Sequence, residues 1–113
     1  MNLTTEFTKG LAIVRVSESR LMYPMLADFS TAVASLIAKG EKKLLIDLTS
    51  VTYVDSATIG CFMDLYRQAS AADATLKLAG VQKRVETMLT MTGAQNFLEL
   101  HPDEASAVRS FGG

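Results

Sequence analysis

Leu45-Ile46-Asp47-Leu48-Thr49-Ser50-Val51-Thr52-Tyr53-Val54-Asp55-Ser56-Ala57-Thr58-Ile59-Gly60 changes its apolar period halfway along. Residues 44–48 form a nearly continuous apolar run behind the charged turn Glu41-Lys42-Lys43, the pattern of a strand covered on both faces. A connector, Thr49 to Val54, carries two valines three apart. From Asp55-Ser56 onward, Ile59, Phe62, Met63, Tyr66 and Ala69 recur at helical spacing, so a buried strand is followed by an amphipathic helix. Asp55 or Ser56 can cap that helix. Its N-terminus offers free backbone N–H groups and a partial positive charge, so a phosphate on Ser56 or Thr58 would meet donors there. Ligand and regulatory sites gather at strand C-terminal ends in open α/β sheets.

The same alternation of periods extends both ways. Upstream, residues 3–8 and 11–17 are β-prone runs around a Lys9-Gly10 turn. Pro24 then opens a helical stripe of Leu26, Phe29, Val33, Leu36 and Ile37 that ends at Gly40. Downstream, Thr75-Leu76-Lys77-Leu78-Ala79 is a short strand. Val81, Val85, Met88, Leu89 and Thr92 make another helical stripe before Gly93. Phe97, Leu98 and Leu100 predict a last strand, His101 the start of the last helix, and Pro102-Asp103-Glu104 a helix N-terminus with acids placed to suit its dipole. The order β-β-α-β-α-β-α-β-α predicts an α/β fold with right-handed crossovers. The sheet is expected to have four to five strands, mixed but largely parallel, with about four helices packed on it. Met22, Met25, Met63, Met88 and Met91 are read as core filler, although Met22 and Met25 flank Tyr23 in a loop where adaptable side chains suit a partner surface.

Composition narrows the function. The 113 residues are 49% apolar and 20% charged with a net charge of −1, which fits one folded domain over residues 1–113 and excludes disorder. No Lys/Arg run exceeds two residues, so neither nucleic acid nor an anionic membrane is an expected partner. One cysteine, Cys61, excludes an internal disulfide, and one histidine, His101, leaves no His/Cys metal cluster. Residues 1–6 lack the regions of a signal peptide, and no apolar run spans a bilayer, so a cytoplasmic protein without direct membrane insertion is expected. There is no Gly-rich phosphate loop and no nucleophile elbow, so a binding protein without cofactor is expected rather than an enzyme.

Leu45-Ile46-Asp47-Leu48-x-x-Val51-x-x-Val54-Asp55-Ser56-Ala57-x-Ile59-Gly60 resembles the signature of the STAS-domain family, and most closely its small bacterial anti-sigma-factor antagonists. Leu76-Lys77-Leu78-Ala79-Gly80, Val85, Met88-Leu89 and Thr92-Gly93-Ala94 through Phe97 follow the family order. The resemblance implies partner switching. The unphosphorylated antagonist binds an anti-sigma factor that is also a serine/threonine kinase, phosphorylation releases it, and a phosphatase resets it. It implies Ser56 as phosphoacceptor with Thr58 in reserve, because Ala57 stands where many members carry a second hydroxyl and Thr58 where glycine is usual. Asp55, Ser56, Ala57, Thr58, Ile59, Met22 and Tyr23 are then the partner-binding residues, and Asp47 supports the site. The alternative within the same fold is an interaction subunit that is not phosphorylated, in a signalling scaffold or a lipid-transport ABC complex.

Overall fold

The computed structural model describes residues 1–112. Strands β1 (Leu3–Thr8) and β2 (Leu11–Val16) form a hairpin whose turn places both Lys9 and Gly10 at positive φ, 52° and 79°. That is the twist-compatible two-residue turn of antiparallel pairs. Two-residue strand β3 (Arg20–Leu21) follows, then a single 3-10 turn at Tyr23–Met25 and helix α1 (Leu26–Ala38). Strand β4 (Lys43–Asp47), the short β5 (Tyr53–Val54) and helix α2 (Ser56–Ala71) come next. The chain closes with β6 (Thr75–Ala79), α3 (Lys83–Thr92), β7 (Glu99–His101) and α4 (Glu104–Ser110). The main sheet has the order β1-β2-β4-β6-β7. Only β1 is antiparallel to its neighbour, so the expected mixed, largely parallel sheet with four helices is what forms.

Side-chain alternation divides the core by face. Ala12, Val14, Leu44, Ile46, Leu76 and Leu78 point to one side, where they pack against α1, α2 and α3. There Phe29 and Phe62 meet edge-to-face with ring centroids 5.8 Å apart. Leu11, Ile13, Leu45 and Ala79 point to the other side and are covered by α4 through Ala107, Val108 and Phe111. This second layer is fastened by charge. Arg15 donates from Nε and Nη2 to the two oxygens of Glu104, at 2.7 and 2.9 Å, and from Nη1 to Glu6 at 2.7 Å. At the other end of α4, the buried Lys77 ammonium donates to the Ser110 carbonyl and hydroxyl and pairs with Glu99 at 3.0 Å.

Four expectations need correcting. A second sheet, β3 beside β5, occupies what the sequence marks as loop and connector; strands of two residues are too short to show a period. His101 ends β7, and the last helix starts at Glu104 with Asp103 as its cap. Phe97 lies outside β7 and is 57% exposed, because a 3-10 turn at Ala94–Asn96 intervenes. Met91 is no core filler but 81% exposed on the outer face of α3.

Gly80 follows β6 at φ +69°, and a Cβ there would fall 2.1 Å from Thr49 Oγ1 and 3.0 Å from Thr49 Cα. The backbone contact cannot be relieved by a rotamer change. Gly80→Ala is therefore expected to cost about 2 kcal/mol or more. In urea unfolding it lowers the midpoint without changing the slope.

Candidate functional site at the N-terminus of α2

The site begins with why Asp47 turns the chain. It ends β4 buried, and its Oδ1 accepts the Thr49 N–H at 2.8 Å and the Thr49 hydroxyl as well. Burial pushes its pKa up, and the neighbouring Glu104 carboxyl adds to the rise, whereas the Thr49 donors work the other way. Glu104 itself is drawn down to about 2, chiefly by Arg15. Leu48 and Val51 then sink into the core and carry the chain to β5, where Tyr53 and Val54 pair with Arg20 and Leu21. Arg20 stands 5.7 Å from the centroid of the Tyr53 ring. This small sheet brings residues 20–23 alongside the start of α2.

Asp55 is the N-cap of α2. Its Oδ1 accepts the Thr58 N–H at 2.9 Å, and its Oδ2 accepts the Tyr23 N–H, also at 2.9 Å. The Thr58 hydroxyl lies 2.6 Å from Asp55 Oδ1 and 2.8 Å from the Leu21 carbonyl. Partial burial pushes the Asp55 pKa up, but the Thr58 hydroxyl and the Tyr23 and Thr58 N–H groups outweigh it and hold the carboxyl below its ordinary range. The carboxylate thus caps the helix and fastens the Met22-Tyr23 loop to it.

With Asp55 as cap, Ser56 is the first helical residue, with an exposed side chain. Ala57 is exposed beside it, Tyr23 is 70% exposed, and Met22 is half-buried. These residues form one surface. Thr58 and Ile59 do not belong to it. Thr58 is fully buried with its hydroxyl between two acceptors, and Ile59 is 5% exposed in the core. As a reserve acceptor, Thr58 is closed off by packing. Leu21, whose carbonyl receives the Thr58 hydroxyl, and Thr52, which donates to the Ser19 carbonyl, complete the frame. Sequence reasoning missed both roles.

Beyond Ser56, α2 borders a shallow groove of about 270 Å³ whose wall includes Ile59, Met63, Thr92 and Phe97. Cys61 is half-buried, and burial pushes its thiol pKa up, so it has none of the character of a reactive thiolate. Among the described residues no cluster of three or more His, Cys, Asp or Glu could hold a metal ion, and no helix is long and apolar enough to cross a membrane.

The STAS-domain family model matches residues 2–107, and the chain belongs to that family. Solved structures with the same fold include an anti-sigma factor antagonist from Mycobacterium paratuberculosis, 17% identical, with TM-score 0.88 over 96% of this chain and 92% of that one. SpoIIAA of Bacillus in its phosphorylated form is 13% identical, with TM-score 0.75 over 97% of this chain and 99% of that one. A sulfate transporter family protein from Wolinella succinogenes is 16% identical, with TM-score 0.80 over 91% of this chain and 85% of that one.

Removing the cap tests how the site is held. Asp55→Ala is expected to cost about 1–2 kcal/mol of stability. Because the folded pKa of Asp55 is lowered, its contribution is present above the ordinary carboxylate range near pH 4 and is lost as the pH falls through the folded value. Thermal unfolding of the wild type should therefore show a steeper acid loss than that of Asp55→Ala.

Proposed function

We propose that this STAS domain is an anti-sigma factor antagonist that binds its anti-sigma factor while Ser56 is free and releases it when Ser56 is phosphorylated. The observation that carries the reading is the division of labour between Asp55 and Ser56. Asp55 alone caps the helix and ties down the Tyr23 loop, so Ser56 is left as an exposed hydroxyl with no structural duty. A phosphate there would add about −1.5 to −2 charge at neutral pH. It would sit at the N-terminus of a 16-residue helix, next to free backbone donors and beside the Asp55 carboxylate.

The exposed Tyr23, Ser56 and Ala57 and the half-buried Met22 form the centre of the partner surface, with the Met63–Phe97 groove as its apolar extension. A partner packed closely on this surface would lose affinity on phosphorylation through like-charge repulsion at Asp55 and through desolvation of the phosphate. The partner is a serine/threonine kinase acting as anti-sigma factor, and a phosphatase restores the free hydroxyl. The chain acts as one cytoplasmic module without cofactor, and the kinase carries the catalysis. Relatives named as anti-sigma factor antagonists and the phosphorylated state of SpoIIAA support this reading.

The test is affinity capture from the native host with wild type, Ser56→Ala and Ser56→Asp as baits, followed by incubation of the captured kinase with ATP. Wild type and Ser56→Ala are expected to retain the kinase, and Ser56→Asp to bind it at least tenfold more weakly, which is about 1.4 kcal/mol. Mass spectrometry should place the phosphate on Ser56 in wild type and find none in Ser56→Ala. The same partners on all three baits, without a phosphate, would instead indicate the interaction subunit of a scaffold or transporter.

A further inference from the structure

The two edges of the main sheet are built differently. Strand β7 is three residues long, and its Glu99 and His101 are polar, the usual means of discouraging edge pairing. Strand β1 is longer, and Glu6 is its one charged side chain. It runs six residues without bulge, proline or lysine, and Phe7 on it is 60% exposed.

The hydrogen-bond phase of β1 tells which backbone groups face outward. The Ser17 N–H donates to the Asn2 carbonyl at 2.9 Å, and these residues lie directly opposite in the β1–β2 register. Hydrogen-bonded pairs alternate, so Thr4/Arg15, Glu6/Ile13 and Thr8/Leu11 bond inward, the last closing the Lys9-Gly10 turn. Leu3, Thr5 and Phe7 therefore turn their N–H and C=O groups to the open edge.

We infer that β1 pairs antiparallel with β1 of a second copy of this chain, about a two-fold axis through Thr5, and so joins the two five-stranded sheets edge to edge. The outward groups of Leu3, Thr5 and Phe7 then form three hydrogen-bonded pairs, Leu3 with Phe7 of the second copy, Thr5 with Thr5, and Phe7 with Leu3. The side chains agree with this register. Leu3, Thr5 and Phe7 share the face that carries the main core, because they lie opposite Val16, Val14 and Ala12. Each exposed Phe7 is then covered by a Leu3, and the two threonines meet on the axis.

Charge selects this register over its neighbours. Sliding by one step of the ladder places Glu6 directly against Glu6, and sliding the other way leaves Phe7 beyond the paired strand. In the proposed register Glu6 faces Thr4 and keeps its own partner, Arg15 at 2.7 Å. The self-complementary pattern is what identifies the occupant as a second copy rather than an unrelated strand.

Sedimentation equilibrium across a wide concentration range tests the inference, with Thr5→Pro, Phe7→Lys and a cysteine pair of variants. Wild type is expected to associate to a dimer. Thr5→Pro removes an outward donor without touching the β1–β2 ladder, and Phe7→Lys places a charge against Leu3; each should raise the dimer dissociation constant at least tenfold. Circular dichroism on unfolding checks that each variant is folded, and Phe7→Lys decides if Thr5→Pro is not. In a Cys61→Ser background, Thr5→Cys should form an intermolecular disulfide on oxidation, since hydrogen-bonded partners have Cα atoms about 5.5 Å apart, and Thr4→Cys should not. Monomeric wild type at all concentrations, a dimer indifferent to the folded edge variants, or equal cross-linking at Thr4 and Thr5 would overturn the inference.

Discussion

Strand β4 has no face that water can reach, and the rest of the architecture follows from that constraint. Leu44, Ile46 and Leu48 require cover on one side and Leu45 on the other. Helices α1, α2 and α3 supply the first cover, but the second rests on α4 alone, a seven-residue helix that is too short to be stable by itself. Charged groups fasten both ends besides the packing of Ala107, Arg15 through an ion pair with Glu104 at its start and the Lys77 ammonium through hydrogen bonds to Ser110 at its finish. The Arg15–Glu104 contact is bidentate and partly buried, which is the geometry in which an ion pair contributes more than the negligible amount typical of exposed pairs.

The same strand sets the position of the candidate site. Since β4 ends at Asp47, the chain must leave the sheet there, and the Asp47–Thr49 contacts turn it while Leu48 and Val51 keep it anchored. Asp55 then takes up three donors, two from Thr58 and one from Tyr23, 32 residues before Asp55 in sequence. Without that carboxylate the Tyr23 N–H would lose its partner, and of these contacts only the Thr58–Leu21 hydrogen bond would tie residues 20–23 to α2. The Thr58 hydroxyl is committed to the same junction, so of the two hydroxyls in the first turn of α2 only that of Ser56 is accessible.

The legible part of this structure is the part with a period. The alternation of strands and helices, the double burial of β4 and the placement of Asp55 at a helix start all follow from runs of five or more residues, long enough for spacing to speak. What escaped is shorter or tertiary. β3 and β5 have two residues each, and their pairing joins positions 33 residues apart, which no local pattern encodes. The burial of Thr58 is a tertiary fact as well. Its β-branched side chain sits on the inward face of α2, one residue before Ile59, where the apolar spacing begins. Leu65, fully buried, falls outside the i, i+3, i+4 spacing because the buried stripe of α2 is wider than that set. Met91 is the converse case: its spacing groups it with the core methionines, yet it faces outward from α3 at 81% exposure.

The separation of cap from acceptor has a consequence for how a modification at Ser56 acts. Where a cap residue is itself the acceptor, a phosphate must displace the hydrogen bond that starts the helix, and the fold bears the cost. Here the cap is Asp55, and its carboxylate contacts lie with Thr58 and Tyr23, away from the Ser56 hydroxyl. On the proposed reading, a phosphate on Ser56 meets the helix N-terminus as a favourable field and the Asp55 carboxylate as an unfavourable one. These two influences oppose each other within the free protein, so α2 need not unwind. Against a docked partner the balance differs. The interface excludes the water that screens the two negative groups from each other, and it also strips solvent from the phosphate. The same charge is then tolerated by the fold and rejected by the complex, which is the asymmetry that a reversible switch requires.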